Sequence, residues 1–451
     1  MRRAVGVLLA VTVAMVLADS AVVTLALPDI LFHLDTSVSQ VAWVLISFNL
    51  VLGIVAVPTA VGFARVDPRI LGVVGIAVFA GASAWCAVAE SIEVLIAARC
   101  LQALGGALAL IGCLELLVAA YGERRGIATW ITAGVIGAAT GPVAGGLLTQ
   151  AFSWQAIFVV QVPIAVLAIP AALSVPTGPR PTPDPQAPMR HRPAVRPNLT
   201  LALLSAALTA ALFLLVLLLV NGWRHSPAAA ALAVSVVPIA ALAARPLARG
   251  LRPPAEVEVA VGCFLIAGGL VGLAILPSAS VAWTIAPQAL IGLGLGLTID
   301  QLTAQAMHLR VPRVEHASWT ISARHLGVVL GLAILTPVFV ADLQQAQVPA
   351  QEAITSLVLD SSLTAQDKVS LARELGTELT SQQGRVPDLH RAFAAADFTP
   401  GAQQAAAQLE RDLDEQLERA ATQAFRNSFL VASGLALLAL LTVVLPRRRR
   451  A

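Results

Sequence analysis

Gly137-Ala-Ala-Thr-Gly141-Pro142-Val-Ala-Gly145-Gly146 decides how this chain is read. Four glycines and a proline so close together would ruin a helix in water, where glycine costs about 1 kcal/mol and proline about 3 relative to alanine. Yet the stretch sits inside an apolar segment, 127–148, that is long enough to cross a bilayer. There the backbone has no water to bond to, so a helix persists. Gly137, Gly141 and Gly145 recur every fourth residue and make a flat strip that a second helix can approach closely. Pro142 beside them removes a backbone bond and favours a bend. The expectation is a bent, tightly packed helix between two halves of a carrier, with Gly137, Gly141, Pro142, Gly145 and Gly146 as a conformational gate. Ordinary small-residue packing is the alternative.

The rest of the chain agrees with a membrane solvent. Of 451 residues 57% are hydrophobic and only 12% charged, against about 25% charged in soluble domains. Apolar segments of bilayer length fall at 5–27, 41–63, 70–88, 94–118, 127–148 and 155–175, then at 199–220, 228–245, 257–276, 281–305, 317–341 and 427–445. The pattern predicts an all-α integral membrane protein of 12 transmembrane helices in two bundles of six. Met1-Arg-Arg before an apolar run resembles a signal peptide, but the run passes Asp19 to Leu27 without a small-residue cleavage site, so it is read as the first span. The cysteines (Cys86, Cys100, Cys113, Cys263) all lie in apolar segments without metal-ligand spacing and read as small hydrophobes. No cofactor, metal site or nucleic-acid surface is expected, and no GxxxxGK[ST] loop suggests an ATP-driven pump or any enzyme.

Orientation follows from arginine. Arg2, Arg3, Arg65, Arg69, Arg124, Arg125, Arg310, Arg313 and Arg447 to Arg450 all fall on one side, whereas the short loops of the other side carry only Arg224. This places both termini in the cytoplasm of a bacterial cell, with lipid as the surrounding partner. The division expected is 1–175, a first bundle; 176–198, a Pro- and Arg-rich extended linker; 199–341, helices 7 to 11 of a second bundle; 342–426, a helical extracytoplasmic insertion; and 427–451, helix 12 with a basic tail. Between Asp342 and Phe425 the insertion has thirteen acids and six bases, a net of −7. Residues 401–424 read as a strong helix, and Pro349, Gly376, Gly384, Pro387 and Pro400 are expected to break the remainder. An outer cap or docking platform for an envelope partner is one reading of the insertion; a tolerated surface insertion is the other.

Ionisable groups within spans are costly, so their positions carry information. Asp19 lies past the centre of the first span, Arg99 opens the fourth, Glu115 follows in the same span and Asp300 sits mid-way along the tenth. Arg324 and His325 stand together in the eleventh, and Gln102 is one turn from Arg99. A carboxyl in a low-dielectric cavity holds a proton more readily than in water, which is what proton coupling requires. Competition between a proton and a cationic substrate for one such carboxylate would give exchange. The bland alternative is a buried ion pair at a helix contact. Trp43, Phe48, Trp130, Trp154 and Trp319 fall near span ends, where interfacial anchoring is expected.

Four stretches resemble the major facilitator superfamily, in particular its drug:proton antiporter branch of EmrB/QacA-like multidrug exporters. They are Leu17-Ala-Asp19-Ser-Ala-Val-Val-Thr-Leu-Ala-Leu-Pro28-Asp29-Ile, Arg99-Cys-Leu-Gln102-Ala-Leu-Gly105-Gly106, the opening Gly137–Gly146 stretch, and Ala323-Arg324-His325-Leu-Gly327-Val-Val-Leu-Gly331. The resemblance implies two six-helix bundles around a central cavity that alternates between faces. It implies a coupling or substrate role for Asp19 and a proton-transfer role for Arg99; by their position in spans, Asp300 and Glu115 are read as further candidates to bind proton or substrate. Two departures stand out. The branch usually has fourteen spans, and the linker at 176–198 falls where its extra pair would be. The loop between spans two and three, expected as Gly-x-Leu-x-Asp-Arg-x-Gly-Arg-Arg, reads Gly62-Phe-Ala-Arg65-Val-Asp67-Pro68-Arg69-Ile-Leu. In the family this loop locks the inner gate; here Asp67 with Arg69, or with Arg324, is expected to supply a weakened version.

Three functions fit these features. The first is a proton-coupled antiporter that exports amphipathic drugs or small molecules, cationic ones included, across the bacterial cytoplasmic membrane. The second is an exporter of an endogenous metabolite or lipid that uses the outer insertion for handoff. The third is a non-transporting scaffold or sensor derived from a transporter.

Overall fold

The computed structural model describes residues 2–177, 192–251, 253–308, 310–381, 389–399 and 401–445. Most of the expected linker and the terminal arginine run lie outside the described residues. The first spans are α1 (Arg2–His33), α2 (Val38–Gly62), α3 (Pro68–Ala87), α4 (Ile92–Tyr121) and α5 (Glu123–Ala151). Their starts follow local chemistry. Ser37 and Gln40 form a capping box at the head of α2, Asp67 caps α3 ahead of Pro68, and Ser91 caps α4. Only Gly122 separates α4 from α5, at φ +78°, a backbone conformation that glycine adopts at no steric cost.

The sixth span is broken into α6 (Ala156–Val159) and α7 (Gln161–Ser174). The seventh, α8 (Val195–Leu217), ends in a wider π-turn at Leu218–Gly222. The eighth is again two pieces, α9 (Pro227–Val234) and α10 (Val236–Leu251), followed by α11 (Ala255–Ala274) and α12 (Val281–Met307). The last elements are α13 (Arg313–Asp360), α14 (Ala365–Ser381), α15 (Leu389–Ala395), α16 (Gln403–Ala424) and α17 (Arg426–Val444). Twelve helical segments among the described residues are long and apolar enough to cross a membrane.

The helices pack as two related sets. In the first half α1 lies on α5, α3 on α4, and α3 on α7; in the second α8 lies on α13, α11 on α12, and α11 on α17. These are the same span pairs counted from the start of each half. The halves meet where α2 packs on α13 and α5 on α9, so span two of each half faces span five of the other. That reciprocity is the signature of a pseudo-two-fold repeat.

α13 runs for 48 residues, about 72 Å at the α-helical rise, more than twice the ~30 Å hydrocarbon core. It therefore continues beyond the far face, the one opposite the chain ends, into a separate helical domain. There Ile354, Val358, Leu371, Leu375, Phe393, Leu409, Leu413 and Leu417 form a core of their own. α16 buries Ala406, Leu409, Leu413, Leu417, Ala421 and Ala424, the single face its three- and four-residue spacing dictates. The sequence expectation that Pro349 and Gly376 break helices is corrected: α13 runs through 349 and α14 through 376. Propagating a helix already formed costs far less than starting one, and the buried Leu371 and Leu375 fix α14 just ahead of the weak point. Gly384, Pro387 and Pro400 lie outside the described residues.

The far domain is tied to the second half. Arg224 pairs with Asp414 at 2.9 Å, the Trp223 indole donates to Thr422 Oγ1 at 2.9 Å, and Asn427 donates to Asp342 at 3.0 Å. Phe339, Phe425 and Phe429 stack at its base, with ring centroids 4.3 and 6.4 Å apart.

The aromatic expectation needs correction too. Trp43 and Trp319 are exposed, but Phe48, Trp130 and Trp154 are buried. Trp130 donates to the Leu110 carbonyl at 3.1 Å, and Phe48 lies beneath Arg99. These rings serve packing, not anchoring.

Candidate functional site

Arg99 and Gln102 stand three residues apart on α4 and so share a face. α1 brings Asp19 to that face, α3 brings Ser83 and the start of α7 brings Gln161. Arg99 Nη1 donates to Asp19 Oδ2 and, at 2.6 Å, to Gln102 Oε1. Asp19 Oδ1 accepts from Gln161 Nε2 at 3.0 Å and from Gln102 Nε2 at 3.3 Å. Ser83 Oγ accepts from Gln102 Nε2 at 2.9 Å and donates to Gln161 Oε1 at 3.0 Å. Asp19 and Arg99 are both 0% exposed. Arg99 Nε reaches the Val44 carbonyl at 3.2 Å, and its guanidinium lies 4.2 Å from the centroid of the Phe48 ring. Its Nη2 is buried without a hydrogen bond.

A charge survives at this depth only when paired and hydrogen-bonded; here both carboxylate oxygens are spoken for. The expectation that Asp19 faces a central cavity is replaced by a carboxylate turned into the first half. Gln161 and Ser83 were missed in sequence. The only signal was an amide just ahead of Pro163 and a lone hydroxyl in an apolar span.

The next residue on α1 looks the other way. Ser20 donates to Asn49 Oδ1 on α2 at 3.2 Å, and His325 Nδ1 on α13 lies 2.6 Å from the same oxygen. This polar chain crosses between the halves; Asn49 was also overlooked in sequence.

Asp300 and Glu115 are half-buried. Arg324 lies close enough to Asp300, on the same half, to feel its charge. Asp67 instead pairs with Arg69 at 2.8 Å and accepts from Thr177 at 3.4 Å. The Arg69 hydrogen bonds hold the Asp67 carboxyl below the usual carboxylate range. These contacts stay within the first half and the start of the linker that follows it. Across the halves on the same face, Glu123 at the head of α5 pairs with Arg313 at the head of α13, a contact not anticipated from sequence.

The glycine strip also differs from expectation. A Cβ on Gly137 would lie 2.1 Å from the Ala14 carbonyl oxygen and one on Gly145 2.3 Å from that of Val22, while Gly141 meets Ala18 and Ala21. The strip thus seats α5 on α1 inside the first half. Only Gly146, turned about 100° further round the helix, faces the other half, where a Cβ would lie 2.2 Å from Ala231 Cβ. Near it Gln150 Oε1 accepts from the Ala228 amide of α9 at 2.8 Å. The second half repeats the device: Gly327 and Gly331 on α13 abut Ala202 and Ala206 on α8. Pro142 lies within the unbroken α5.

Two pseudo-symmetric six-span halves, joined by polar contacts at mid-depth and at both ends, define the fold of a multi-pass membrane protein. The chain belongs to the Major Facilitator Superfamily, whose model matches residues 9–336. It is 32% identical over 173 residues to the methylenomycin A resistance protein of Bacillus subtilis, covering 38% of this chain and 37% of that one. It is 35% identical over 174 residues to the tetracenomycin C resistance and export protein of Streptomyces glaucescens, 38% of this chain and 32% of that one. Over 182 residues it is 34% identical to the multidrug efflux pump LfrA of Mycolicibacterium smegmatis, 39% of this chain and 36% of that one. These matches span only about a third of each relative. In fold the chain is similar to a bacterial homolog of the human lysosomal transporter Spinster in an inward-facing, unoccupied conformation. That likeness has a TM-score of 0.60 at 16% identity over 98% of both chains.

Proposed function

We propose that this protein is a proton-coupled antiporter that exports amphipathic, cationic small molecules across the bacterial cytoplasmic membrane, with both termini in the cytoplasm. One observation carries the reading: a carboxylate, Asp19, fully buried against Arg99 and two glutamines. Resistance and efflux relatives support the cargo class, and the arginine-rich face supports the orientation.

The surroundings of Asp19 suit two protonation states. A proton on Oδ2 dissolves the charge pair, and Arg99 keeps the Val44 carbonyl, Gln102 Oε1 and the Phe48 ring. Gln161 and Gln102 still hold Oδ1. Protonation therefore loosens α1 from α4 without stranding a cation. Because Gly137 and Gly145 bed α5 on α1, a shift of α1 carries α5 with it. Gly146 and Gln150 then transmit the shift to α9 at the far face. In this scheme Arg99 tunes the acid, Gly141 and Pro142 complete the moving helix, and Asp300 and Glu115 are further acids that bind the proton or the cationic cargo. Asp67 and Arg69 stiffen the cytoplasmic loop, and Arg324 restrains Asp300.

The test is efflux of a cationic dye, ethidium, from proteoliposomes under an imposed pH gradient. Asp19→Asn abolishes gradient-driven efflux while the protein stays folded; an unchanged rate removes Asp19 from the mechanism. A second reading, export of an endogenous metabolite or lipid with handoff to an envelope partner, draws on the far domain having its own core and firm ties to the second half. Deleting 345–420 separates the two: dye efflux survives if the domain only decorates a drug exporter.

A further inference from the structure

Ser20, Asn49 and His325 come from three helices and both halves, and none of them is used by the proton site. The hydrogen positions follow from their partners. Asn49 Nδ2 donates to the Leu45 carbonyl at 2.7 Å, a group that can only accept. Its Oδ1 is therefore the atom facing His325 Nδ1 at 2.6 Å. An amide oxygen cannot donate, so Nδ1 carries the hydrogen. Asn49 is 0% and His325 8% exposed, and one turn along α2 a Cβ on Gly53 would come within 2.9 Å of Leu326 Cγ and 3.2 Å of Leu326 N. The backbones of α2 and α13 are thus too close for water to take over the bond.

Asp19 and Ser20 are adjacent on α1 and point about 100° apart, one toward Arg99 and the other toward Asn49. Whatever rotates or lifts α1 at Asp19 acts directly on Ser20. We propose that His325 is a positioning residue of the transport cycle: through Asn49 it clasps the two halves together at mid-membrane, and Ser20 sets that clasp from the helix that bears the proton site. The clasp itself needs no cargo and no proton; its link to Asp19 rests on the antiport reading.

A double-mutant cycle tests it. Asn49→Leu, His325→Leu and the double variant are placed in nanodiscs, and backbone hydrogen exchange is followed in peptides covering 44–54 and 320–330. Each single change raises exchange roughly two- to tenfold, the range of one buried hydrogen bond, and the double change adds nothing further. Fully additive effects overturn the clasp. His325→Gln keeps a donor and restores slow exchange; if it behaves as leucine does, the donor role is wrong. Nitrogen-15 labelling of histidine in the wild type, with His325 assigned through His325→Gln, gives an answer even if the leucine variants do not fold. The ring carries hydrogen on Nδ1 if the clasp exists, and hydrogen on Nε2 alone refutes it. Finally, Asp19→Asn shifts the His325 signal if the two are linked. A clasp that survives while Asp19→Asn transports normally brings down the proton reading and leaves this one standing.

Discussion

Removing Arg99 should harm this protein far more than removing its partner, and removing both should repair it. In Arg99→Met the Asp19 carboxylate keeps only amide donors, from Gln161 and Gln102, at a site with 0% exposure. Stranding a buried charge costs about 3–5 kcal/mol. Asp19→Asn leaves a cation instead, but Arg99 retains the Val44 carbonyl, Gln102 and the Phe48 ring face. A desolvated cation–π contact contributes up to about 2 kcal/mol, and a charged hydrogen bond about 1.5–3. The expected loss is therefore about 1–2 kcal/mol, below the roughly 3–5 kcal/mol expected of Arg99→Met. The double variant replaces an ion pair by neutral groups of similar volume, a change that is often neutral or stabilising by about 1–4 kcal/mol. Unfolding by SDS titration in mixed micelles gives the stability of all four proteins, with dye efflux read in parallel. Stability in the order wild type ≈ double > Asp19→Asn > Arg99→Met supports the account, with gradient-driven efflux lost in all three variants. Equal losses for the singles, or strict additivity in the double, would refute it.

Other expectations follow from single contacts. Gly137→Ala puts a methyl 2.1 Å from the Ala14 carbonyl where ordinary contact begins near 3.4 Å; forcing α1 and α5 apart costs about 1–3 kcal/mol. Gly62→Ala, with nothing within 4 Å, is the silent control in the same thermal assay. Glu123→Gln breaks a cross-half pair whose side chains are 40% and 55% exposed, so it is worth at most about 1 kcal/mol. It should slow or speed efflux less than fivefold, an effect erased in 1 M salt. In the far domain Asp367 accepts from the Thr364 hydroxyl and the Thr399 amide, which hold its carboxyl below the usual carboxylate range. A depressed acid contributes stability above its unfolded value, near 4, and loses it as pH falls through the folded value. Helix content measured by circular dichroism should therefore fall at more acid pH in the wild type than in a variant lacking Thr364, and Asp367→Asn should flatten the dependence.

Span number and helix type were legible because bilayer-length apolar runs have one physical outcome: a backbone with no water must bond to itself within each segment. The glycine strip at 137, 141 and 145 was legible for a related reason, since only helix contact makes use of so many missing side chains. What the strip touches was not legible. Gly137 and Gly145 proved to seat α1, and only Gly146 met the other half, because which face of a helix meets which neighbour is fixed by the assembled bundle. Asp19 and Arg99 announced themselves as charges in apolar spans; that they face each other, 80 residues apart in the chain, is a matter of packing. Gln161, Ser83 and Asn49 are uncharged and cost little to place almost anywhere along a span, so nothing in the chain distinguished them. Their roles exist only where three or more helices converge, and tertiary structure alone brings those helices together.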